Sequence, residues 1–231
     1  IYKIVYLRVI IMHDQINNLV AIEKKIQQKL EGNKGALKIP KIIAVSKTFP
    51  ISSIMPLINH GHLDFGENKI QEAVEKWVLI KKDFSHIKLH MVGRLQTNKV
   101  KSAIKIFDYI HSVDNKKLAI KIANEELKQK KKIKIFIQIN IGNEDQKLGI
   151  KKEEAFIFYK FCRDLNLDVV GTMCIPPKEG NAESHFLEMN KINKELCLSG
   201  LSMGMSEDYL EAAQNNATFL RIGSKIFGQR N

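Results

Sequence analysis

The amino-acid sequence predicts an α/β protein: a single (β/α)8 TIM barrel with an extra helix before the first strand. Short apolar, β-branched runs alternate with longer segments of helical period, which is the pattern of strand–helix units around a parallel sheet. Eight such runs occur within 231 residues, and a barrel of eight units typically takes about 250 residues. No G-x-G-x-x-G turn follows the first run, so a closed barrel is favoured over an open doubly wound sheet.

The predicted elements follow one another without a gap large enough for a further domain. The predicted strands are 42–46, 63–66, 88–92, 109–112, 133–139, 168–173, 198–202 and 219–222. Between them, helical periodicity is clearest in 70–80, 117–127, 153–162 and 184–196, and an additional helix over about 15–30 ends near Gly32.

The chain is predicted to form one domain. No linker rich in Pro, Gly or Ser divides it, and Pro176-Pro177 reads as a loop. Because a helical pattern begins only after Met12, residues 1–11 are predicted to be an N-terminal extension outside the core. Residues 12–231 then form the barrel domain.

Cysteine usage and hydropathy favour a cytoplasmic protein. The three cysteines, Cys162, Cys174 and Cys197, are far apart and form no C-x-x-C pair, which does not fit a disulfide framework. The apolar stretch 4–12 is interrupted by Arg8 and is shorter than the roughly 20 residues of a membrane helix. We therefore expect no membrane segment and no secretory signal.

The formal net charge of +12, from 37 basic and 25 acidic residues, is compatible with nucleic acid or phosphorylated metabolites as partners. The densest basic run, 128–134, follows an amphipathic helix and contains no aromatic residue. It is therefore interpreted as a solvated helical face, and nucleic acid is not the expected main partner. No apolar face is left over in the pattern, so we expect a monomer.

Polar residues cluster where the predicted strands end, and in such barrels the carboxyl ends of the strands form the functional face. These residues are Lys47, Glu67, Asn68, Arg94, Gln96, His111, Ser112, Gln138, Asn140, Ser202, Arg221, Gly223 and Ser224. Because they come from many strands, we expect a small-molecule site on one rim.

Lys47 is the candidate nucleophile. It follows the apolar run 42–46, so its stem would emerge from a buried strand, and an amine forms a Schiff base only when it is neutral. A lysine that merely closes a strand at the solvent edge remains the alternative.

Two clusters of small residues favour a phosphate site. Ser202 and Gly204 follow the seventh strand, and Gly223 and Ser224 follow the eighth, where barrels commonly bind phosphate through backbone N–H groups and a helix N-terminus. Gly and Ser also occur at strand ends simply because they favour turns, so a purely structural role for these residues stays open.

Other motifs exclude several classes of function. The seven histidines show no metal-ligand spacing, so no metal site is expected, and His90 and His111 are interpreted as packing residues of the barrel or its rim. No P-loop occurs. The polar segment 140–149 is either a lid or an ordinary loop.

The sequence resembles the YggS/PROSC family of pyridoxal-phosphate homeostasis proteins over almost the whole chain after Met12. Six segments in the family's order carry the resemblance: AVSKT at 44–48, FGENKIQE at 65–72, HMVGRLQTNK at 90–99, Asn140 with Glu144, Lys147 and Gly149, LSMGMS at 201–206, and RIGS at 221–224. Arg94, Thr172 and Ser224 depart from the family's usual residues; a serine at 224 keeps the hydroxyl of the more frequent threonine.

The resemblance implies that the cofactor is pyridoxal 5'-phosphate, held as a Schiff base on Lys47. It implies that Ser202, Gly223 and Ser224 bind the phosphate, that Asn68 lines the same mouth, and that Arg221 faces the pyridine nitrogen, as in the similar barrel of alanine racemase. An arginine that binds the phosphate or a nearby carboxylate is the alternative role. Because a guanidinium donates hydrogen bonds only, it favours an unprotonated pyridine, which is a weak electron sink.

The resemblance also implies a carrier that stores, buffers or delivers the cofactor, with PLP-dependent apoenzymes as partners and no catalytic residues. A racemase of the similar fold adds a second β-rich domain and a tyrosine base; none is evident here, so two-base racemisation would lack one proton-transfer group. A weak PLP-dependent amino-acid racemase is the principal alternative, and a basic RNA-associated module is the third.

Overall fold

The predicted fold class is confirmed: the computed structural model, which describes residues 13–31 and 38–229, is a closed parallel barrel with its strands in sequence order. The strands are β1 (Lys41–Val45), β2 (Asp64–Glu67), β3 (Lys88–Met91), β4 (Tyr109–Val113), β5 (Lys134–Ile139), β6 (Asp168–Cys174), β7 (Gly200–Ser202) and β8 (Phe219–Ile222). The predicted extension 1–11 and Gly32 lie outside the described residues.

Helices surround the barrel. They are α1 (Asp14–Glu31), α2 (Ile51–Asn59), α3 (Ile70–Asp83), α4 (Val100–Ile106), α5 (Lys116–Gln129), α6 (Ala155–Asp164), α7 (Ala182–Glu195), α8 (Tyr209–Gln214) and α9 (Ser224–Phe227). The predicted additional helix is confirmed as α1, which packs on α9, α8 and α2. None of the helices in the described ranges has the length and apolarity that crossing a bilayer requires.

Two predicted elements start too early. In each case the first predicted residues belong to a turn in the structure. The seventh strand was expected from Leu198, but the Leu198 N–H donates to the Asn193 carbonyl at 3.0 Å and closes the end of α7. Similarly, a 3-10 turn, Lys152–Glu154, precedes α6. The apolar side chain of Leu198 lies in the turn after α7, so its hydropathy does not mark the start of the strand.

The apolar core has two parts, because side chains alternate between the two faces of each strand. On β1, Ile42 and Ala44 pack in the large cluster between strands and helices. Ile43 and Val45 pack inside the barrel in a smaller cluster with Phe136, Met173 and Phe219. Residues that continue the inward set past the end of β1 are therefore delivered to the barrel mouth, and Lys47 is the next of them.

Thr172, one of the departures from the family pattern, connects β6 to α7. Its hydroxyl donates to Asn193 Oδ1 at 2.9 Å and its N–H donates to the same oxygen at 3.2 Å. The Asn193 amide in turn donates to the Leu198 carbonyl at 2.8 Å. Both side chains are buried, so this pairing gives the polar residue at 172 a structural reason.

We expect Thr172→Val to lower the free energy of unfolding by about 1 kcal/mol, the net value of a typical buried hydrogen bond. Urea unfolding of the wild type, Thr172→Val, Asn193→Leu and the double variant forms a double-mutant cycle that isolates the coupling between the two side chains. A coupling energy near zero would contradict the pairing, whatever the cost of each single change.

Candidate functional site

A cavity of about 730 Å³ opens at the carboxyl ends of the strands, where the sequence predicted the site. Five predicted site residues line it: Lys47, Asn68, Arg221, Gly223 and Ser224. They come from β1, β2 and β8 or directly follow them, and β1 pairs with both of the other strands. The closure of the barrel between β8 and β1 therefore brings together residues that are far apart in sequence.

The backbone before Lys47 is anchored on the helix side of the sheet. The Ser46 hydroxyl donates to Glu67 Oε1 at 2.8 Å, and the Trp77 indole N–H donates to the same oxygen at 3.0 Å. Lys76 Nζ lies 2.7 Å from Glu67 Oε1. Since Glu67 and Trp77 are fully buried, this cluster fixes the end of β1.

The backbone after Lys47 turns sharply. Thr48 has a φ of +67°, in the left-handed region that a β-branched residue rarely adopts. Its N–H donates to the Glu72 carboxylate, which also accepts a hydrogen bond from Lys76 at 2.9 Å. Burial alone would raise the pKa of Glu72, but these two donors lower it. The ionised Glu72 therefore holds the turn that aims Lys47 into the cavity.

Arg221 is the buried cation of the site, with 5% of its surface exposed. Its Nη1 donates to Ser202 Oγ and its Nη2 donates to the Cys174 carbonyl, both at 2.8 Å. Burial lowers the pKa of this guanidinium, and burial also raises the pKa of the Cys174 thiol to about 12. The guanidinium is thus held by two neutral acceptors at the wall of the cavity.

Ser202 is not positioned as the sequence predicted. It is fully buried, it does not line the cavity, and its hydroxyl accepts from Arg221 and lies 2.8 Å from His111 Nδ1. The physical reason is that Ser202 is still part of β7 and faces the barrel interior. Ser206, four residues later in the loop, lines the cavity instead.

Ser206, Gly223 and Ser224 form a corner suited to an anion. Gly223 precedes α9 and its carbonyl accepts the first hydrogen bonds of that helix, from Ile226 and Phe227 at 2.9 Å. The N–H groups that open a helix have no acceptor within it. The Lys225 N–H, 3.5 Å from Ser206 Oγ, joins this corner to the loop after β7.

Asn68 provides a direct indication of a ligand. Its Oδ1 is buried and has no hydrogen-bond partner within the described part of the chain, although the residue lines the cavity. Buried polar atoms are normally hydrogen-bonded, so this oxygen is suited to a polar group of a bound molecule. The cavity volume is also in the range of small-molecule sites.

Other polar residues at the strand ends lie outside the cavity. Arg94 and Gln96 line a neighbouring cleft of about 300 Å³ with Lys69 and Lys99, and Asn68 lines both this cleft and the cavity. Asn140 lies in the segment 140–149, where its amide donates to the Glu144 carbonyl at 2.7 Å. No group of metal-ligating side chains occurs within the described ranges.

Sequence reasoning missed one wall of the cavity. The segment that connects β6 to α7 contributes several lining residues: Ile175, Pro176, Pro177, Lys178 and Gly180. The double proline indicated a loop but gave no direction for it. Glu207 and Asp208 complete the lining near Ser206, and burial raises the pKa of Asp208.

A sequence model of the family described as "Alanine racemase, N-terminal domain" matches residues 21–231. The pyridoxal phosphate homeostasis proteins of Pasteurella multocida and Aquifex aeolicus are 35% and 34% identical to this chain, and each alignment covers 92% of it and 96% of the relative. The chain belongs to the pyridoxal phosphate homeostasis protein family. The resemblance read from the motifs is thereby confirmed.

Solved structures agree with this family membership. PipY of Synechococcus elongatus, solved with PLP bound, has a TM-score of 0.76 at 27% identity, covering 90% of this chain and 100% of that chain. Alanine racemase of Clostridium difficile has a TM-score of 0.68 at 14% identity, covering 93% of this chain and 57% of that chain. At that identity the racemase shows the shared barrel alone.

Acid should destabilise this family member through its buried histidines. Burial lowers the pKa of His62, His90 and His111 in the folded protein, whereas in the unfolded chain histidine titrates near about 6.5. Below that pH the unfolded state binds more protons, so the free energy of unfolding must decrease as the pH falls. Urea unfolding at about pH 7.5 and about pH 5.5 measures the difference.

The control variants separate buried from exposed histidines. His111→Gln should reduce the slope of stability against pH, while His86→Gln, at an exposed position, should leave it unchanged. A free energy of unfolding that rises or stays constant between the two pH values would contradict the expected neutrality of the buried rings.

Proposed function

We propose that this protein binds pyridoxal 5'-phosphate through a Schiff base on Lys47 and serves cytoplasmic PLP homeostasis without catalytic turnover. The observation that carries the proposal is one cavity that brings together an amine (Lys47), a guanidinium (Arg221) and an anion-suited corner (Ser206, Gly223, Ser224). The names of the relatives and the PLP-bound structure of PipY support the same cofactor.

Different residues of the cavity would bind different groups of the cofactor. Lys47 would bind its carbonyl carbon, and Gly223, Ser224 and Ser206 would bind the phosphate, with Ser206 taking the place first assigned to Ser202. Arg221 would hold the pyridine nitrogen, and the amide oxygen of Asn68 would accept a hydrogen bond from a polar substituent of the ring. A bound pyridoxal phosphate supplies an electrophilic carbonyl and an electron-withdrawing ring.

The arrangement favours a carrier over an enzyme. Arg221 can only donate hydrogen bonds, so it favours a neutral pyridine and a weak electron sink. Within the described ranges, no Tyr, His or Cys side chain lines the cavity. Without such a group, the remaining candidates for proton transfer on the second face of a substrate are the carboxylates of Glu207 and Asp208 and the amine of Lys178. We propose a monomer that exchanges the cofactor with PLP-dependent apoenzymes.

Lys47→Ala should abolish the visible absorbance that appears when the purified protein is incubated with pyridoxal phosphate, because the variant lacks the amine that forms the Schiff base. Lys178→Ala is the matched control, since Lys178 lines the same cavity, and this variant should keep the absorbance. Borohydride reduction followed by peptide mapping should place the pyridoxyl group on Lys47. A pyridoxyl group found on Lys178, or absorbance retained by Lys47→Ala, would refute the assignment.

The principal alternative is a weak amino-acid racemase, and one observation favours it. Asp208 lines the cavity, and burial raises the pKa of its carboxyl, so it is the nearest match to a second proton-transfer group. We expect the wild type to catalyse no sustained exchange of the α-hydrogen of amino acids in deuterium oxide, as followed by NMR. Turnover that disappears in both Lys47→Ala and Asp208→Asn would replace the carrier proposal with the racemase.

A further inference from the structure

A continuous chain of buried hydrogen bonds crosses the barrel interior and ends on Arg221. Asp64 Oδ1 lies 2.9 Å from His90 Nε2, and His90 Nδ1 lies 2.9 Å from His111 Nε2. His111 Nδ1 lies 2.8 Å from Ser202 Oγ, which accepts from Arg221 Nη1 at 2.8 Å. We call Asp64, His90, His111 and Ser202 the interior chain.

The interior chain connects two separate cavities. Arg221 lines the cavity at the carboxyl ends of the strands, whereas Asp64 lines one of about 450 Å³ at their amino ends, beside Lys41 and His62. The side chain of Asp64 is 12% exposed and that of His90 is 0% exposed. The interior chain therefore contacts solvent at Asp64, and its other three side chains are enclosed by protein.

Aromatic rings hold the two histidines in place. His90 stacks on Tyr109 with ring centroids 4.4 Å apart, and His111 stacks on Phe136 with centroids 4.3 Å apart. Rings packed in this way cannot rotate to find other partners, so each ring nitrogen is committed to the neighbour that it faces.

When both histidines are neutral and Asp64 is ionised, each hydrogen bond of the interior chain has only one possible donor. All the donors then point toward Asp64. The carboxylate only accepts, so His90 donates from Nε2 and accepts at Nδ1. His111 must then donate from Nε2 and accept at Nδ1, and the Ser202 hydroxyl donates to it. A lone pair of Ser202 Oγ is thereby left for Arg221, which always donates.

Burial of the two rings favours this neutral state, against the carboxylates of Asp64 and Asp108, which raise the pKa of His90. The charged groups that face them are Asp64, Asp108, Lys41 and Arg221. Burial lowers the pKa of both rings, and Arg221 lowers that of His111 further. A proton on His90 would reverse the donors and acceptors at His111 and Ser202, so that Ser202 Oγ would accept from both His111 and Arg221.

We propose that the interior chain is a set of positioning residues, in which the Asp64 carboxylate at one mouth of the barrel fixes the hydrogen-bond direction that orients Arg221 at the other. The consequence for the cofactor rests on the proposed function, whereas the direction of the chain does not. Asp64 touches neither Arg221 nor its cavity, and it acts through three intervening side chains.

The direction of the chain is tested in the cofactor-free wild type by ¹⁵N NMR of labelled histidines near neutral pH. Both His90 and His111 should be neutral with the hydrogen on Nε2. This measurement needs no variant to fold and no cofactor to bind. An Nδ1–H form at either ring would overturn the proposal, and so would a charged ring.

Two substitutions at Asp64 test the coupling. Asp64→Leu removes the acceptor and leaves a buried N–H of His90 unpaired, so we expect the Nδ1–H form to appear at both rings. Asp64→Asn retains a carbonyl oxygen that can accept from His90 and should restore the Nε2–H form. His62→Gln is the control, because the hydrogen bond of His62 is to the Asp64 carbonyl and not to its carboxylate, and it should change neither ring.

The cofactor provides the second readout. Asp64→Leu should weaken pyridoxal phosphate binding by about fivefold, the change expected from loss of one net hydrogen bond, and Asp64→Asn should recover most of it. Unchanged tautomers or unchanged affinity in Asp64→Leu would overturn the coupling. If the wild type bound no pyridoxal phosphate, the proposed function would fail while the tautomers still decided the direction of the chain.

Discussion

The buried guanidinium of Arg221 is the constraint on which the rest of the site depends. A permanent charge removed from water is costly unless its donors are satisfied, and here they meet a carbonyl and a hydroxyl that are themselves neutral. The interior of the barrel therefore keeps a positive charge. That charge favours an electron-rich group in the cavity, and it also disfavours a second cation, which is one reason that the neighbouring His111 stays neutral.

The fold was predictable because a parallel barrel buries its strands on both faces, which leaves apolar runs that stand out from the helices. β8 was predicted with its observed bounds, and Lys47 was found because it directly follows such a run. The errors lie at ends such as Leu198, where a helix terminus is as apolar as the strand that follows. Hydropathy indicates which side chains are buried. It does not indicate whether a backbone N–H donates within a helix end or to a neighbouring strand.

The site was predictable only as far as its residues follow directly from a strand. Ser202 and Ser206 lie in one motif, and which of them faces the cavity depends on where β7 ends and which way its last side chain points, neither of which follows from residue type. His90 and His111 are buried in the barrel, as the sequence indicated. Asp64 comes from the strand before that of His90, but Ser202 comes from β7, which is remote in sequence from β4, so only the closed barrel reveals the interior chain.

The anchoring of Lys47 has a consequence for ligand binding. Its neighbours Ser46 and Thr48 are held by Glu67 and Glu72, and Lys76 hydrogen-bonds to the Ser46 carbonyl at 2.9 Å. The backbone is thus ordered before any ligand arrives, and binding does not have to order it. Contacts that a ligand makes in the cavity, with Arg221 or with the anion-suited corner, then contribute to its affinity without an ordering cost at this turn.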